Sequence, residues 1–112
     1  MQLEQKRRGD VQMVKVLDKR MDARAAPSFK EQMSEVIGSG SRRIALDIGD
    51  VEFIDSSGLG AIVSALKMLG GNGDLVICGA RETVMSMFKL TRMDKVFRIF
   101  AGDEQAANAL GQ

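Results

Sequence analysis

The residues of this chain best suited to chemistry lie in one short segment, residues 55–60, which reads Asp-Ser-Ser-Gly-Leu-Gly. The segment holds one carboxylate, Asp55, followed by two hydroxyls, Ser56 and Ser57. A serine hydroxyl can cap a helix, or it can attack a substrate when a base activates it. Histidine is absent from the chain, so a Ser-His-Asp triad is excluded. A structural cap and another chemical role remain open.

A strand and a helix must position this segment. Apolar residues precede it, and apolar residues recur after it at steps of three and four, the period of a helix with one buried face. The positions concerned are Val51, Phe53, Ile54, Leu59, Ile62, Val63, Leu66 and Leu69. The two serines therefore fall at a helix start, where a hydroxyl can cap free N–H groups. Gly58 and Gly60 leave the first turn bare, so a partner's backbone or a phosphate could approach closely. A purely structural N-cap is the alternative.

Other reactive constellations have simpler explanations. Residues 38–43 (Gly-Ser-Gly-Ser-Arg-Arg) resemble a phosphate loop but lack the final Gly-Lys-Ser/Thr, which indicates a helix end and a turn. The acids Asp47, Asp50, Glu52 and Asp55 could suggest magnesium, but oxygen ligands from one short segment make a weak site. The single cysteine, Cys78, lies in an apolar run typical of a core strand. We therefore expect no metal and no cofactor.

Composition indicates one ordinary globular domain, residues 1–112. Hydrophobic residues make up 45% of the chain and charged residues 28%, and the net charge is +1. This charge gives no electrostatic reason for binding nucleic acid or an acidic membrane. The sequence has neither an apolar run of membrane-spanning length nor a signal-peptide core near Met1. We expect a cytoplasmic protein that contacts neither nucleic acid nor membrane directly.

Strand and helix patterns alternate along the chain and predict an α/β fold with about five strands and four helices. A polar turn at residues 6–10 is expected to separate two N-terminal strands. Later strands are expected at residues 44–48, 51–54, 75–78 and 96–100. Helices are expected to begin near Pro27, Ser57 and Asp103, with another around Val84 and Phe88. Helix-length crossovers imply a mixed, mostly parallel sheet with an antiparallel N-terminal hairpin.

Residues 51–60 closely resemble the phosphorylation motif of the bacterial anti-sigma factor antagonists, which belong to the STAS domain family. The resemblance extends over nearly the whole chain. Residues 17–22 fall on the family's strand-to-loop segment, residues 74–79 on the strand after the glycine turn, and residues 87–97 on the late helix, turn and strand. The family's usual Gly-Glu-Leu-Asp is Lys-Arg-Met-Asp here, so only Asp22 carries over directly.

The resemblance implies a regulatory switch and not an enzyme. In this family the unphosphorylated protein binds a serine kinase that is also an anti-sigma factor, and the sigma factor is released. The kinase phosphorylates the serine after the aspartate, which is Ser56 here, and a metal-dependent, PP2C-like serine phosphatase reverses the modification. The partner-binding residues implied are Asp22, Asp55, Ser57, Gly58, Leu59 and Gly60.

Asp22 and Ser56 are expected to lie at the same edge of the sheet, because loops that follow parallel strands gather at the carboxyl edge. Asp22 could instead only stabilise a turn before the helix at Pro27. Two other functions stay open: a non-switching STAS subunit of a lipid-transport or stress-signalling assembly, and a receiver-like domain phosphorylated on Asp47, Asp50 or Asp55.

Overall fold

The computed structural model describes residues 1–111 and has a central sheet with helices on both faces. The strands are β1 (Leu3–Arg8), β2 (Val11–Val16), β3 (Arg20–Met21), β4 (Arg43–Asp47), β5 (Phe53–Ile54), β6 (Asp74–Cys78) and β7 (Ile99–Phe100). The helices are α1 (Ala26–Gly38), α2 (Ser56–Leu69), α3 (Glu82–Leu90) and α4 (Asp103–Gly111). The α/β class and the four helices that the sequence predicts are confirmed.

The main sheet has five strands in the order β1-β2-β4-β6-β7. β1 and β2 pair antiparallel, and every other neighbouring pair is parallel, as expected. The expected turn at residues 6–10 was placed too early, because β1 continues to Arg8 and only Gly9 and Asp10 connect the strands. Gly9 has a φ of 61°, which suits the first central position of a type II′ turn.

Both faces of the inner strands are buried, because alternate side chains enter two separate apolar layers. One layer lies between the sheet and α1, α2 and α3, and it includes Phe29, Ile62 and Phe88. The other lies under α4 and consists of Val11, Met13, Ala45, Val76, Cys78, Ala106, Ala107 and Leu110. Burial, with the negative charges of Asp47 and Asp103, raises the pKa of the Cys78 thiol to about 12, so the thiol stays protonated.

Two strand assignments made from the sequence need correction. The segment before Asp55 forms the short strand β5, which pairs in parallel with β3 in a separate two-stranded sheet. The last strand is only two residues long, since residues 93–95 form a short 3₁₀ turn and the Phe97 ring packs edge-on against Phe88 at 6.1 Å. Within residues 1–111, no helix has the length and apolar character needed to span a membrane.

Candidate functional site

The first turn of α2 presents Ser56 and Ser57 to solvent, and the residue that caps the helix is Asp55. Asp55 Oδ1 accepts a hydrogen bond from the Gly58 N–H at 2.9 Å, and its carbonyl accepts one from Leu59. The expectation that a serine hydroxyl caps the helix is therefore wrong. Neither serine hydroxyl has a hydrogen-bond partner among residues 1–111, so both are free to react.

Asp55 also joins the start of α2 to the loop before α1. Its Oδ2 accepts a hydrogen bond from the Ala23 N–H at 3.2 Å, and its own N–H donates to the Met21 carbonyl at 3.2 Å. Because Met21 lies opposite Ile54 in the parallel β3–β5 pair, Asp22 and Asp55 follow the two strands side by side. Asp22 and Ser56 therefore open on one edge of the molecule.

Asp22 is held by its own turn. Its Oδ1 accepts hydrogen bonds from the N–H groups of Arg24 and Ala25, at 3.1 and 3.2 Å, and its Oδ2 lies 3.4 Å from Arg20 Nε. Partial desolvation acts to raise the pKa of the Asp22 carboxyl, but the bonds from Ala25, Arg20 and Arg24 together lower it. Asp22 therefore stabilises the turn, as the simpler interpretation held, and it also lies beside Asp55.

Gly58 and Leu59 are buried and pack within the molecule. Leu59 is only 4% exposed. A Cβ built on Gly58 would lie 2.1 Å from the Met21 carbonyl oxygen, so the close approach at Gly58 is made by the chain's own backbone. The expected part of Gly58 and Leu59 in partner binding stays a prediction. Gly60 is exposed, and a Cβ there would meet nothing within 4 Å.

The sequence reasoning missed an exposed pair beside this turn. The Arg20 guanidinium lies 4.3 Å from the centre of the Phe53 ring, a cation–π contact, and Phe53 is 41% exposed. The two residues are directly opposite in the β3–β5 pair. Strand alternation was the available signal: with Ile54 turned inward, Phe53 has to turn outward.

The acids that could have suggested a magnesium site have different partners. Asp47 Oδ1 accepts from the Gly49 N–H at 2.8 Å, Asp50 lies 3.8 Å from Lys15 Nζ, and Glu52 lies 4.0 Å from Arg81. Asp55 caps α2. Across the 111 residues that the structure describes, no three or more histidine, cysteine or acidic side chains form a group that could hold a metal ion.

Comparison with known proteins identifies the family. The family model described as "STAS domain" matches residues 2–106. The chain belongs to the STAS domain family. Among curated proteins, this STAS chain is 28% identical over 85 residues to the anti-sigma-B factor antagonist of Staphylococcus aureus. The matched segment covers 75% of this chain and 79% of that protein.

Solved structures share the fold over almost the whole chain. TM1081 of Thermotoga maritima is 26% identical, covers 98% of this chain and 95% of its own, and superposes with a TM-score of 0.88. The anti-sigma factor antagonist SpoIIAA of Bacillus is 17% identical and superposes with TM-scores of 0.70 in its unphosphorylated form and 0.71 in its phosphorylated form. SpoIIAA covers 96% of this chain in both forms, and this chain covers 96% and 98% of the two SpoIIAA chains.

Proposed function

We propose that this STAS domain is an anti-sigma factor antagonist whose partner binding is controlled by phosphorylation of Ser56. The observation that carries the proposal is the free, exposed Ser56 hydroxyl on the first turn of α2, directly after a cap that fixes the turn. The curated relative in Staphylococcus aureus is an anti-sigma-B factor antagonist, and SpoIIAA exists in phosphorylated and unphosphorylated forms. Both findings support the proposal.

The partner in this scheme is an anti-sigma factor that is itself a serine kinase. The unphosphorylated domain binds the kinase through the surface around Ser56, and the sigma factor that the kinase held is released. Transfer of the γ-phosphoryl group of ATP to Ser56 Oγ then ends the interaction. A metal-dependent, PP2C-like phosphatase returns the domain to its binding form. All of these steps take place in the cytoplasm, and the domain acts by binding and not by catalysis.

Charge and hydrogen bonding explain why the modification would disrupt binding and spare the fold. Phosphorylation adds about −1.5 to −2 charges and three acceptor oxygens. At the start of α2 these oxygens meet the positive end of the helix dipole and the N–H groups of Ser56 and Ser57, for which residues 1–111 supply no acceptor. A partner surface matched to a neutral hydroxyl would instead have to desolvate the new charge, and each 1.4 kcal/mol lost lowers affinity about tenfold.

Incubation with ATP and the cognate kinase tests the proposal directly. We expect mass spectrometry to find one phosphate, on Ser56, and we expect Ser56→Ala to take up none. Ser57→Ala is the matched control, because Ser57 is also exposed and lies one residue away, and this variant should still be phosphorylated. A phosphate on Ser57 would contradict the assignment, and the absence of any label would favour a non-switching STAS subunit.

Asp22→Asn tests whether the neighbouring loop belongs to the same binding surface. The asparagine keeps an oxygen that can accept from Arg24 and Ala25, so the melting temperature should stay close to that of the wild type. The lost charge should weaken kinase binding and reduce its dependence on salt, as measured by titration at two ionic strengths. Asp10→Asn, in the β1–β2 turn, is the charge-matched control. If Asp22→Asn binds the kinase with wild-type affinity at low salt, Asp22 only stabilises its turn and is not part of the binding surface.

A further inference from the structure

One edge of the main sheet is open and long enough to pair with another strand. β1 is the end strand of the sheet and pairs with β2 alone. Five of its six residues are exposed, so helices cover neither face of the strand from Glu4 to Arg8. At the other edge, β7 has only two residues. An uncovered edge strand presents unpaired N–H and C=O groups that can bind another strand.

The hydrogen-bonding phase of the β1–β2 pair shows which backbone groups point outward. The Leu17 N–H donates to the Gln2 carbonyl at 3.0 Å, so these two opposite residues bond to each other. In an antiparallel pair, bonded and non-bonded residues alternate, which places the N–H and C=O of Leu3, Gln5 and Arg7 on the outer side of β1. Within residues 1–111, no hydrogen bond outside the β1–β2 ladder uses these groups.

We propose that β1 pairs antiparallel with β1 of a second copy of this chain, about a two-fold axis at Gln5, to form one continuous sheet. In this register Gln5 lies opposite the partner's Gln5, and their outward N–H and C=O groups bond to each other. Glu4 lies opposite the partner's Lys6 and Lys6 opposite the partner's Glu4. Glu4 and Lys6 are two residues apart and lie on the same face of the strand, so each copy supplies both halves of the ion pairs.

The charge pattern favours this register and a second copy of β1 as the partner. A two-fold axis at Glu4, Lys6 or Arg7 would place each of these charged residues opposite its own copy, which is destabilising. Charged side chains on edge strands ordinarily oppose pairing with other strands. In the Gln5 register a second β1 places opposite charges at both Glu4–Lys6 positions and no like charges directly opposite each other. The inference is independent of the proposed function of Ser56.

Charge reversal in solution tests the dimer. Sedimentation equilibrium over a range of concentrations should show the wild type in a monomer–dimer equilibrium that high salt weakens. Glu4→Lys and Lys6→Glu should each weaken the dimer at least tenfold, because each places like charges opposite one another. An equimolar mixture of the two variants should recover a dimer, since one variant then carries lysine at both positions and the other carries glutamate at both. Glu35→Lys and Lys30→Glu, both exposed on α1, are the charge-matched controls.

A backbone variant and amide exchange test the strand pairing itself. Gln5→Pro removes an N–H that points outward, so it should leave the β1–β2 ladder and the melting temperature of the monomer nearly intact and abolish the dimer. In the wild type, the amides of Leu3, Gln5 and Arg7 should gain protection from hydrogen exchange as concentration rises. Those of Glu4, Lys6 and Arg8 are already protected by β2. A wild type that stays monomeric, or a dimer that the β1 variants do not alter, would overturn the proposal.

Discussion

Ser56→Glu should bind the kinase partner at least tenfold more weakly than the wild type, and Ser56→Ala should bind like the wild type and resist inactivation. The glutamate brings a negative charge to the exposed start of α2, where it imitates part of the phosphate. A tenfold loss of affinity corresponds to about 1.4 kcal/mol. The cost of desolvating one carboxylate that has no partner at an interface is large enough to cause this loss. The measurement is a titration of each variant with the same kinase preparation.

Ser56→Glu should have little effect on the stability of the fold. A carboxylate near a helix N-terminus is favourable, so the free energy of unfolding should shift by no more than about 1 kcal/mol. Ser57→Glu is the control that separates position from charge, because Ser57 is also exposed on the same turn. Equal affinities of Ser56→Glu and Ser56→Ala would contradict the switch, whatever the phosphorylation experiment finds.

Gly58→Ala should be among the most damaging single-methyl additions in the chain. Its Cβ would lie 2.1 Å from the Met21 carbonyl oxygen and 2.8 Å from the Met21 carbonyl carbon, and both are backbone atoms that no rotamer change can move. Either α2 or β3 must shift, so we expect a loss of about 3 kcal/mol or more in the free energy of unfolding, measured by urea denaturation.

Gly60→Ala is the matched comparison, two residues further along the same helix. Nothing lies within 4 Å of its Cβ position, so alanine should stabilise the helix by roughly 0.5–1 kcal/mol. The exposed methyl should instead impair phosphorylation or kinase binding, as the proposed partner surface requires. If Gly58→Ala were as stable as Gly60→Ala, the contact between α2 and β3 would not be needed for folding.

The main sheet could be predicted from the sequence because its strands carry strong local signals. Residues 44–48 and 75–78 are apolar runs with a helix-length connection between them, and these features identify buried parallel strands. The β3–β5 pair could not be predicted in the same way, since each strand has two residues and Lys19, Arg20 and Phe53 give no alternating pattern. Its pairing depends on contacts between segments more than thirty residues apart.

In the candidate site, too, the local feature could be predicted and the features that depend on distant contacts could not. The period of Ile62, Leu66 and Leu69 locates the helix start near Ser57, one residue from the observed start at Ser56. The sequence could not say whether serine or aspartate provides the cap, since both residue types do so. Gly58 and Gly60 look alike in sequence. Only the position of Met21 shows that Gly58 serves internal packing and that Gly60 faces solvent.

In the small β3–β5 sheet, the residues that hold Ser56 in position differ from the residues that form the surface around it. Met21 and Ile54 point inward and fix the position of the loop that carries Ser56. Arg20 and Phe53 point outward and contact each other. Substitutions at Arg20 or Phe53 can therefore alter the charge and shape beside Ser56 with no change in how the serine is held. Under the proposed function, a change of partner would then require only exposed residues to vary, and the position of Ser56 would stay the same.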